Sequence, residues 1–182
     1  MRMEQGEDAM KEDDRQNGHP DSHGDPVAWA RLLGQRVTAL GAGLVTTAES
    51  CTGGLLAGAF TSIAGSSQWF HQSFVTYSNQ AKEERLGVMP DTLLQHGAVS
   101  RETVYEMARG AKAVAQADYA LSISGIAGPG GGSAAKPVGT VWFGLSTPTE
   151  SLEQMQVFSG DREAVRTQAV EFALNLLAKH LV

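Results

Sequence analysis

Apolar and polar positions along the 182-residue chain alternate between helical and strand-like patterns. Asp25-Pro26 is typical of a helix cap and first turn, and Gly41 is typical of the residue that ends such a helix. Short apolar runs between the helical patterns predict strands. The five predicted strands cover 44–48, 73–77, 119–124, 140–146 and 152–158.

Five further helices or helical turns follow from spacing of three and four between apolar positions and from Ser or Asp caps. They are predicted over 52–63, over 79–86, from Pro90, after Ser100 and after Asp161. In the helix after Ser100, the buried face is predicted to include Val104, Met107, Ala108, Ala111, Val114 and Ala115. Alternation of helices and strands predicts an α/β fold with helices on both faces of the sheet, and two consecutive strands near the end predict a mixed sheet.

Charge is unevenly distributed between the two parts of the chain. Residues 1–25 hold three basic and eight acidic side chains and so account for −5 of the formal net charge of −6. This segment lacks apolar periodicity, so we predict a disordered acidic tail over 1–25 and one folded domain over 26–182. A docking role for the tail remains an alternative. The folded part has no cluster of Lys and Arg, which argues against nucleic-acid binding.

Cys51 is the only cysteine, so an internal disulfide is excluded, as is typical of proteins in a reducing cytosol. The first residues lack the apolar core of a signal peptide. No apolar run approaches the ~18 residues that span a bilayer. We therefore predict a cytoplasmic protein without membrane association.

A candidate nucleophile lies where the first predicted strand meets a helix, in the sequence Glu49-Ser50-Cys51-Thr52-Gly53-Gly54. Carboxyl ends of strands are where α/β folds build binding sites, and free N–H groups at a helix start can stabilise an oxyanion or a phosphate. The two glycines would allow close approach of a ligand. A serine that only caps the helix, with glycines that serve packing, is an equally consistent interpretation.

A serine hydroxyl needs a base, and no histidine lies convincingly near a strand end. Tyr77 ends the second predicted strand and Lys82 follows on the next helix. A lysine whose pKa is lowered by burial can act as a base, and a tyrosine can relay or orient the proton. The alternative places Tyr77 in the core and leaves Lys82 solvated beside its charged neighbours, and the residues alone favour that alternative.

Two other features bear on the chemistry. Gly125 to Gly132 follow a strand and form a glycine-rich loop that could present N–H groups to an anion, or could be a flexible surface loop. Cys51 is a competing nucleophile, although it lacks an obvious histidine partner. The sequence contains neither of the metal-binding spacings Cys-x-x-Cys and His-Glu-x-x-His, so we predict no metal and no cofactor.

Several motifs in order resemble the C-terminal domain family of the competence/damage-inducible protein CinA, over about residues 26–182. They are TAESCTGG at 47–54, FVTYSN at 74–79 with Lys82, HGAVS at 96–100, SISGIAGP at 122–129, KPVGTV at 136–141 and GDR at 160–162. The resemblance implies a three-layer α/β/α sandwich with a mixed, mostly parallel sheet, which forms homo-oligomers. It also implies hydrolysis of nicotinamide mononucleotide to nicotinate mononucleotide and ammonia, in pyridine nucleotide recycling.

Through the resemblance, Ser50 is the expected nucleophile and Tyr77 and Lys82 its activating pair. The expected substrate-binding residues are Glu49, Thr52, Gly53, Gly54, Asn79, Ser124, Gly125, Gly128 and Arg162. N–H groups near Thr52, Gly53 and Gly54 are expected to hold the oxyanion. The chain is too short for the N-terminal domain of the longer family members, and Ala134-Ala135 stand where members often have an acidic residue. A non-catalytic interaction module and a metal-dependent phosphate-ester hydrolase are the alternatives.

Overall fold

Six α-helices and five strands build the part of the chain that the computed structural model describes, residues 25–181. The helices are α1 (Pro26–Leu40), α2 (Leu55–Thr61), α3 (Asn79–Leu86), α4 (Pro90–His96), α5 (Arg101–Ala115) and α6 (Arg162–His180). The strands are β1 (Val45–Glu49), β2 (Phe70–Val75), β3 (Tyr119–Gly125), β4 (Thr140–Ser146) and β5 (Ser151–Val157). All five predicted strands and all six predicted helices are therefore present.

The strands form one sheet in the order β2-β1-β3-β4-β5. Strand β1 pairs in parallel with both β2 and β3, whereas the β3–β4 and β4–β5 pairings are antiparallel. Four strands thus run in one direction and β4 alone runs against them. The expected mixed, mostly parallel sheet is confirmed, and its parallel half brings the carboxyl ends of β1, β2 and β3 to one edge.

Helices cover both faces of the sheet, so the expected three-layer sandwich is confirmed. Helices α1, α2 and α6 pack on one face in the larger apolar cluster, which includes Leu33, Leu56 and Leu177. Helices α3, α4 and α5 pack on the other face around Leu86 and Met107. Side chains on a strand alternate between the faces, and the buried residues of the central strands accordingly supply both clusters.

Some element boundaries differ from the prediction for identifiable reasons. Strand β2 begins at Phe70 rather than at residue 73, because Phe70 already pairs with Val45 at the start of β1. Helix α2 begins three residues later than predicted, because Gly53 and Gly54 adopt left-handed backbone conformations with φ of 59° and 97°. Val114 was predicted on the buried face of α5 but is 54% exposed.

The predicted tail lies outside the described residues except for Asp25. The Asp25 carboxylate accepts hydrogen bonds from the N–H groups of Val27 and Ala28 and thereby caps α1. Within residues 25–181, no helix is both long and apolar enough to cross a membrane.

Candidate active site

The expected site residues follow the carboxyl ends of the three parallel strands. Ser50 comes directly after β1, and its N–H donates to the Ile123 carbonyl of β3 at 2.9 Å. The N–H of Thr76, just after β2, donates to the Glu49 carbonyl at 2.9 Å. Main-chain hydrogen bonds therefore hold the segments that follow β1 and β2 at a common edge, where an α/β sheet usually binds its ligand.

Lys82 projects from α3 into this edge and contacts Ser50. Its Nζ lies 3.1 Å from Ser50 Oγ, 2.7 Å from the Thr76 carbonyl oxygen and 3.4 Å from the Tyr77 carbonyl oxygen. The Lys82 side chain is 1% exposed, and Ser50 is also buried. The solvated, surface-exposed Lys82 that the residues alone favoured is therefore wrong.

Burial changes the protonation of Lys82. An ammonium ion loses its hydration in a buried site, so desolvation lowers the pKa of Lys82 to about 8. The charge interaction with the Cys51 thiol opposes this shift but is the smaller effect. A neutral amine is therefore accessible next to the serine hydroxyl near neutral pH.

Cys51 is buried in the larger apolar cluster rather than exposed to a ligand. Burial raises the pKa of its thiol to about 11, and the nearby Glu49 carboxylate adds to the shift. Because the thiolate is the nucleophilic form, the thiol at position 51 is unreactive near neutral pH. Of the two adjacent candidates, the geometry favours Ser50.

The Glu49 carboxylate is fully buried and organises the turn behind Ser50. Its Oε2 accepts hydrogen bonds from the Thr52 hydroxyl and from the N–H groups of Gly54 and Leu56, and its Oε1 accepts from the Ala57 N–H at 2.8 Å. This carboxylate compensates the free N–H groups and the positive dipole end at the start of α2. Glu49, expected to bind substrate, instead satisfies groups of its own chain.

The expected oxyanion donors are partly engaged elsewhere. The Gly53 N–H donates to the Ser50 carbonyl at 3.1 Å, and the Gly54 N–H donates to Glu49 at 3.0 Å. Neither N–H group is therefore free to hold an oxyanion in this arrangement. The Thr52 N–H, the third expected donor, makes no hydrogen bond within residues 25–181.

Arg166 on α6 was not anticipated from the sequence. Its Nε donates to the Cys51 carbonyl at 3.0 Å, and its Nη2 donates to the Thr52 carbonyl at 2.9 Å. The sequence did contain a signal for this position. Residues 162 and 166 lie one turn apart on the same face of a helix whose start was correctly predicted, so a side chain at 166 is expected on the same side of the helix as Arg162.

Tyr77 and Arg162 meet at the rim of the site. The Tyr77 side chain is exposed, and its hydroxyl lies 3.1 Å from Arg162 Nη2. Arg162 Nη1 also donates to the Gly128 carbonyl at 2.9 Å, which joins the glycine-rich loop to the segment after β2. The Tyr77 hydroxyl thus contacts Arg162, whereas the Tyr77 carbonyl oxygen contacts Lys82. Because the Tyr77 side chain is exposed, the alternative that places Tyr77 in the core is wrong.

The remaining expected residues take different positions. Ser124 is buried, and its hydroxyl donates to the Ala98 carbonyl at 2.7 Å. Gly125 ends β3 where a Cβ atom would lie 2.9 Å from the Thr140 carbonyl oxygen, so the backbone itself requires glycine. Asn79 is exposed in the first turn of α3. Of these three residues, Asn79 alone has an exposed side chain that a ligand could contact.

Two further observations concern alternative sites within residues 25–181. This part of the chain contains no group of three or more His, Cys, Asp and Glu side chains that could hold a metal ion. An open, polar cavity of about 670 Å³ lies at the end of α5 beside the β4–β5 connection, where Arg109, Lys112 and Thr147 are among its lining residues. None of the expected site residues lines that cavity.

Comparison with known proteins relates nearly all of the described residues to one family. The model of the CinA C-terminal domain matches residues 29–181. The nicotinamide-nucleotide amidohydrolase PncC of Escherichia coli K12 is 60% identical over 146 residues, which cover 80% of this chain and 88% of that protein. The PncC protein of Pseudomonas putida is 50% identical over 153 residues, which cover 83% of this chain and 94% of that protein.

Solved structures give the same relationship. A CinA superfamily protein from Klebsiella pneumoniae 700603 superimposes with a TM-score of 0.83 at 40% identity, over 86% of this chain and 98% of that one. The competence/damage-inducible protein CihA from Agrobacterium tumefaciens superimposes with a TM-score of 0.82 at 44% identity, over 88% of this chain and 98% of that one.

Proposed function

Because the chain belongs to the CinA C-terminal domain family, we propose that it is a nicotinamide-nucleotide amidohydrolase. The proposed reaction is hydrolysis of nicotinamide mononucleotide to nicotinate mononucleotide and ammonia, as a step of pyridine nucleotide recycling. Identity of 50–60% to PncC proteins over most of both chains supports this activity. The enzyme is thus an amidohydrolase that acts on a carboxamide outside a peptide.

The contact between Lys82 Nζ and Ser50 Oγ is the observation that carries this proposal. A solvated lysine with a pKa of ~10.4 is almost wholly protonated at neutral pH, whereas a pKa of about 8 leaves roughly a tenth of the amine neutral at pH 7. In the neutral amine, two N–H groups can donate to the Thr76 and Tyr77 carbonyls. The lone pair can then accept the proton of Ser50.

The proposed mechanism has two acyl-transfer steps. Neutral Lys82 takes the proton of Ser50 as Oγ attacks the carboxamide carbon, and the resulting ammonium gives that proton to the departing ammonia. The substrate is then an ester of Ser50. Water attacks this ester, Lys82 accepts the water proton and returns it to Ser50 Oγ, and nicotinate mononucleotide leaves. The steps need no metal or cofactor.

Residues at the rim are proposed to hold the nucleotide. Arg162 is a fixed cation beside Tyr77 and the glycine-rich loop, so we assign it and the backbone around Gly128 to the phosphate. Exposed Asn79 is close in sequence to Tyr77 and is assigned to the ribose or ring. Tyr77 keeps a role in orienting substrate through its exposed ring and hydroxyl, rather than as the immediate proton acceptor.

Charge and family also support proposals about partners and location. Residues 26–182 are nearly neutral, which argues against a nucleic-acid partner. The single cysteine is typical of proteins in a reducing cytosol and supports a cytoplasmic location. Family membership supports a homo-oligomer. Light scattering of the purified full chain, with and without duplex DNA, tests the oligomer and the absence of DNA binding together.

Ammonia release from nicotinamide mononucleotide by the purified full chain tests the proposed function. We expect the wild-type protein to release ammonia both with and without a chelator. Ser50→Ala should release none. Arg36→Gln, which changes an exposed side chain on α1, is the matched control and should behave like the wild type. Absence of ammonia release by the wild-type protein would contradict the proposal and favour the interaction module. Release of phosphate instead of ammonia, dependent on a divalent ion, would favour the phosphate-ester hydrolase.

A further inference from the structure

Thr76 directly follows β2, and its hydroxyl is buried without a hydrogen-bond partner among residues 25–181. The residue is 1% exposed. Its N–H donates to the Glu49 carbonyl and its carbonyl accepts from Lys82 Nζ, so only the side-chain oxygen is left unpaired. Buried polar groups are nearly always hydrogen-bonded, and an unpaired one indicates a bound water or a role in the chemistry.

The sheet register places Thr76 beside Ser50. The last residue pair between β1 and β2 is Glu49 with Val75. Ser50 and Thr76 are the next residues along these two strands, and the bond from the Thr76 N–H to the Glu49 carbonyl continues the parallel pattern. Neighbouring strands lie about 4.8 Å apart. Thr76 and Ser50 are therefore adjacent at the carboxyl edge of the sheet.

Both side chains belong to the face of the sheet that α3, α4 and α5 cover. Side chains on a strand alternate between the two faces, so Thr76 shares a face with Phe74. Ser50 likewise shares a face with Ala48. Ala48 and Phe74 pack in the apolar cluster beneath α3–α5, and Lys82 of α3 reaches Ser50 from the same side. The unpaired hydroxyl thus lies on the side of the sheet where the amine meets the serine.

A water molecule is the ligand that fits this position. A residue that is 1% exposed offers almost no surface to a nucleotide, whereas a water can occupy a buried site that supplies two or more polar partners. Thr76 Oγ1 can donate one hydrogen bond and accept others. Once Ser50 carries the acyl group, its Oγ has no proton, and the lone pair of neutral Lys82 is free to accept from water.

We infer that the Thr76 hydroxyl binds the water that hydrolyses the Ser50 ester. This inference rests on the proposed function and adds a water site to it. Lys82 takes a proton from the water as the water oxygen bonds to the acyl carbon. The bond from that carbon to Ser50 Oγ then breaks, and the proton passes from Lys82 to Oγ. The earlier attack of Ser50 on the carboxamide does not use Thr76.

Competition between hydroxylamine and water for the Ser50 ester tests the inference. Turnover of nicotinamide mononucleotide at a fixed hydroxylamine concentration gives a hydroxamate and an acid, and their ratio reports on hydrolysis of the ester whichever step limits kcat. Thr76→Val replaces the hydroxyl by a methyl group and should raise the ratio of hydroxamate to acid about tenfold, the factor expected for one lost hydrogen bond. Thr76→Ser, which keeps the hydroxyl, should stay within about twofold of the wild type.

Thr38→Val, which removes an exposed hydroxyl on α1, is the matched control and should leave the ratio unchanged. Urea unfolding should show that Thr76→Val is folded, because the change removes a hydroxyl that no group of the chain pairs with. A wild-type ratio in folded Thr76→Val, or an equal rise in Thr76→Ser, would overturn the inference alone. Absence of ammonia release by the wild-type protein would instead contradict the proposed function.

Discussion

Lys82 Nζ and Ser50 Oγ lie 3.1 Å apart although the two residues are 32 positions apart in the chain. Thr76 links the two residues: its N–H donates to the Glu49 carbonyl, next to Ser50, and its carbonyl accepts from Lys82 Nζ. The Ser78 hydroxyl caps α3 by accepting from the Ala81 N–H. The start of α3 thereby holds the amine at the serine.

Replacement of Lys82 by arginine should remove activity while preserving the positive charge. A guanidinium stays protonated and cannot accept the Ser50 proton. Positioned proton transfer typically contributes ~10²–10⁴-fold, so kcat of both Lys82→Arg and Lys82→Ala should fall by about that factor in an ammonia-release assay. Near-normal kcat in Lys82→Arg would reduce Lys82 to an electrostatic role and make Tyr77 or water the candidate base.

The rate should rise with pH through the pKa of Lys82. The active form is the neutral amine, and burial lowers the pKa of Lys82 to about 8, so its fraction grows as pH rises toward that value and then saturates. Well below pH 8, kcat should increase about tenfold per pH unit; it should reach half of its maximum near pH 8 and level off about one pH unit higher. Measurements of kcat from pH 6 to 9.5 check this profile; a flat or falling profile would argue against the amine as base.

Cys51 should be dispensable for catalysis. Its thiol is buried and burial raises its pKa to about 11, so little thiolate exists at neutral pH. Cys51→Ala should keep at least about half of wild-type kcat, with a loss of stability of about 1 kcal/mol from the smaller core side chain. The native protein should also react slowly with iodoacetamide at pH 7.5. Retention of activity by Ser50→Ala together with its loss in Cys51→Ala would transfer the nucleophilic role to the thiol.

Glu49→Gln should weaken both the fold and the site. The buried carboxylate accepts four hydrogen bonds, and a glutamine amide would replace one of its oxygens by a donor that faces other donors. We expect a decrease in the free energy of unfolding of about 2–4 kcal/mol in urea, together with a lower kcat. Glu84→Gln, an exposed change on α3, is the control and should stay within about 0.5 kcal/mol. Equal stability of the two variants would show that the turn does not depend on this carboxylate.

The arrangement of elements could be predicted because each depends on local pattern. The caps Asp25, Ser100 and Asp161 and the alternation of strands and helices gave the layers and the mixed sheet. The start of β2 was missed because it depends on the pairing of Phe70 with Val45 of β1, which lies 25 positions earlier in the chain. The left-handed glycines similarly shortened α2 in a way that spacing alone does not reveal.

The site depended more on contacts between distant segments. The charged residues next to Lys82 in the sequence favoured a solvated lysine. In the structure, however, Lys82 and Leu86 lie together on the buried face of α3. The resemblance to a known family was what brought Ser50 and Lys82 together before the structure. Arg166 was missed because its acceptors are main-chain carbonyls more than a hundred residues away. Every residue has a main-chain carbonyl, so residue types do not indicate which carbonyls accept a hydrogen bond from a distant side chain.

Capture of the acyl group by hydroxylamine tests the role of Ser50 most directly. A Ser50 ester should partition between water and hydroxylamine, so the wild-type enzyme should form the hydroxamate of nicotinate mononucleotide at the expense of the acid while ammonia release continues. Ser50→Ala should form neither product, and Cys51→Ala should behave like the wild type. Two results would contradict the mechanism. One is undiminished hydroxamate formation by Ser50→Ala. The other is ammonia release by the wild-type enzyme without any hydroxamate at saturating hydroxylamine.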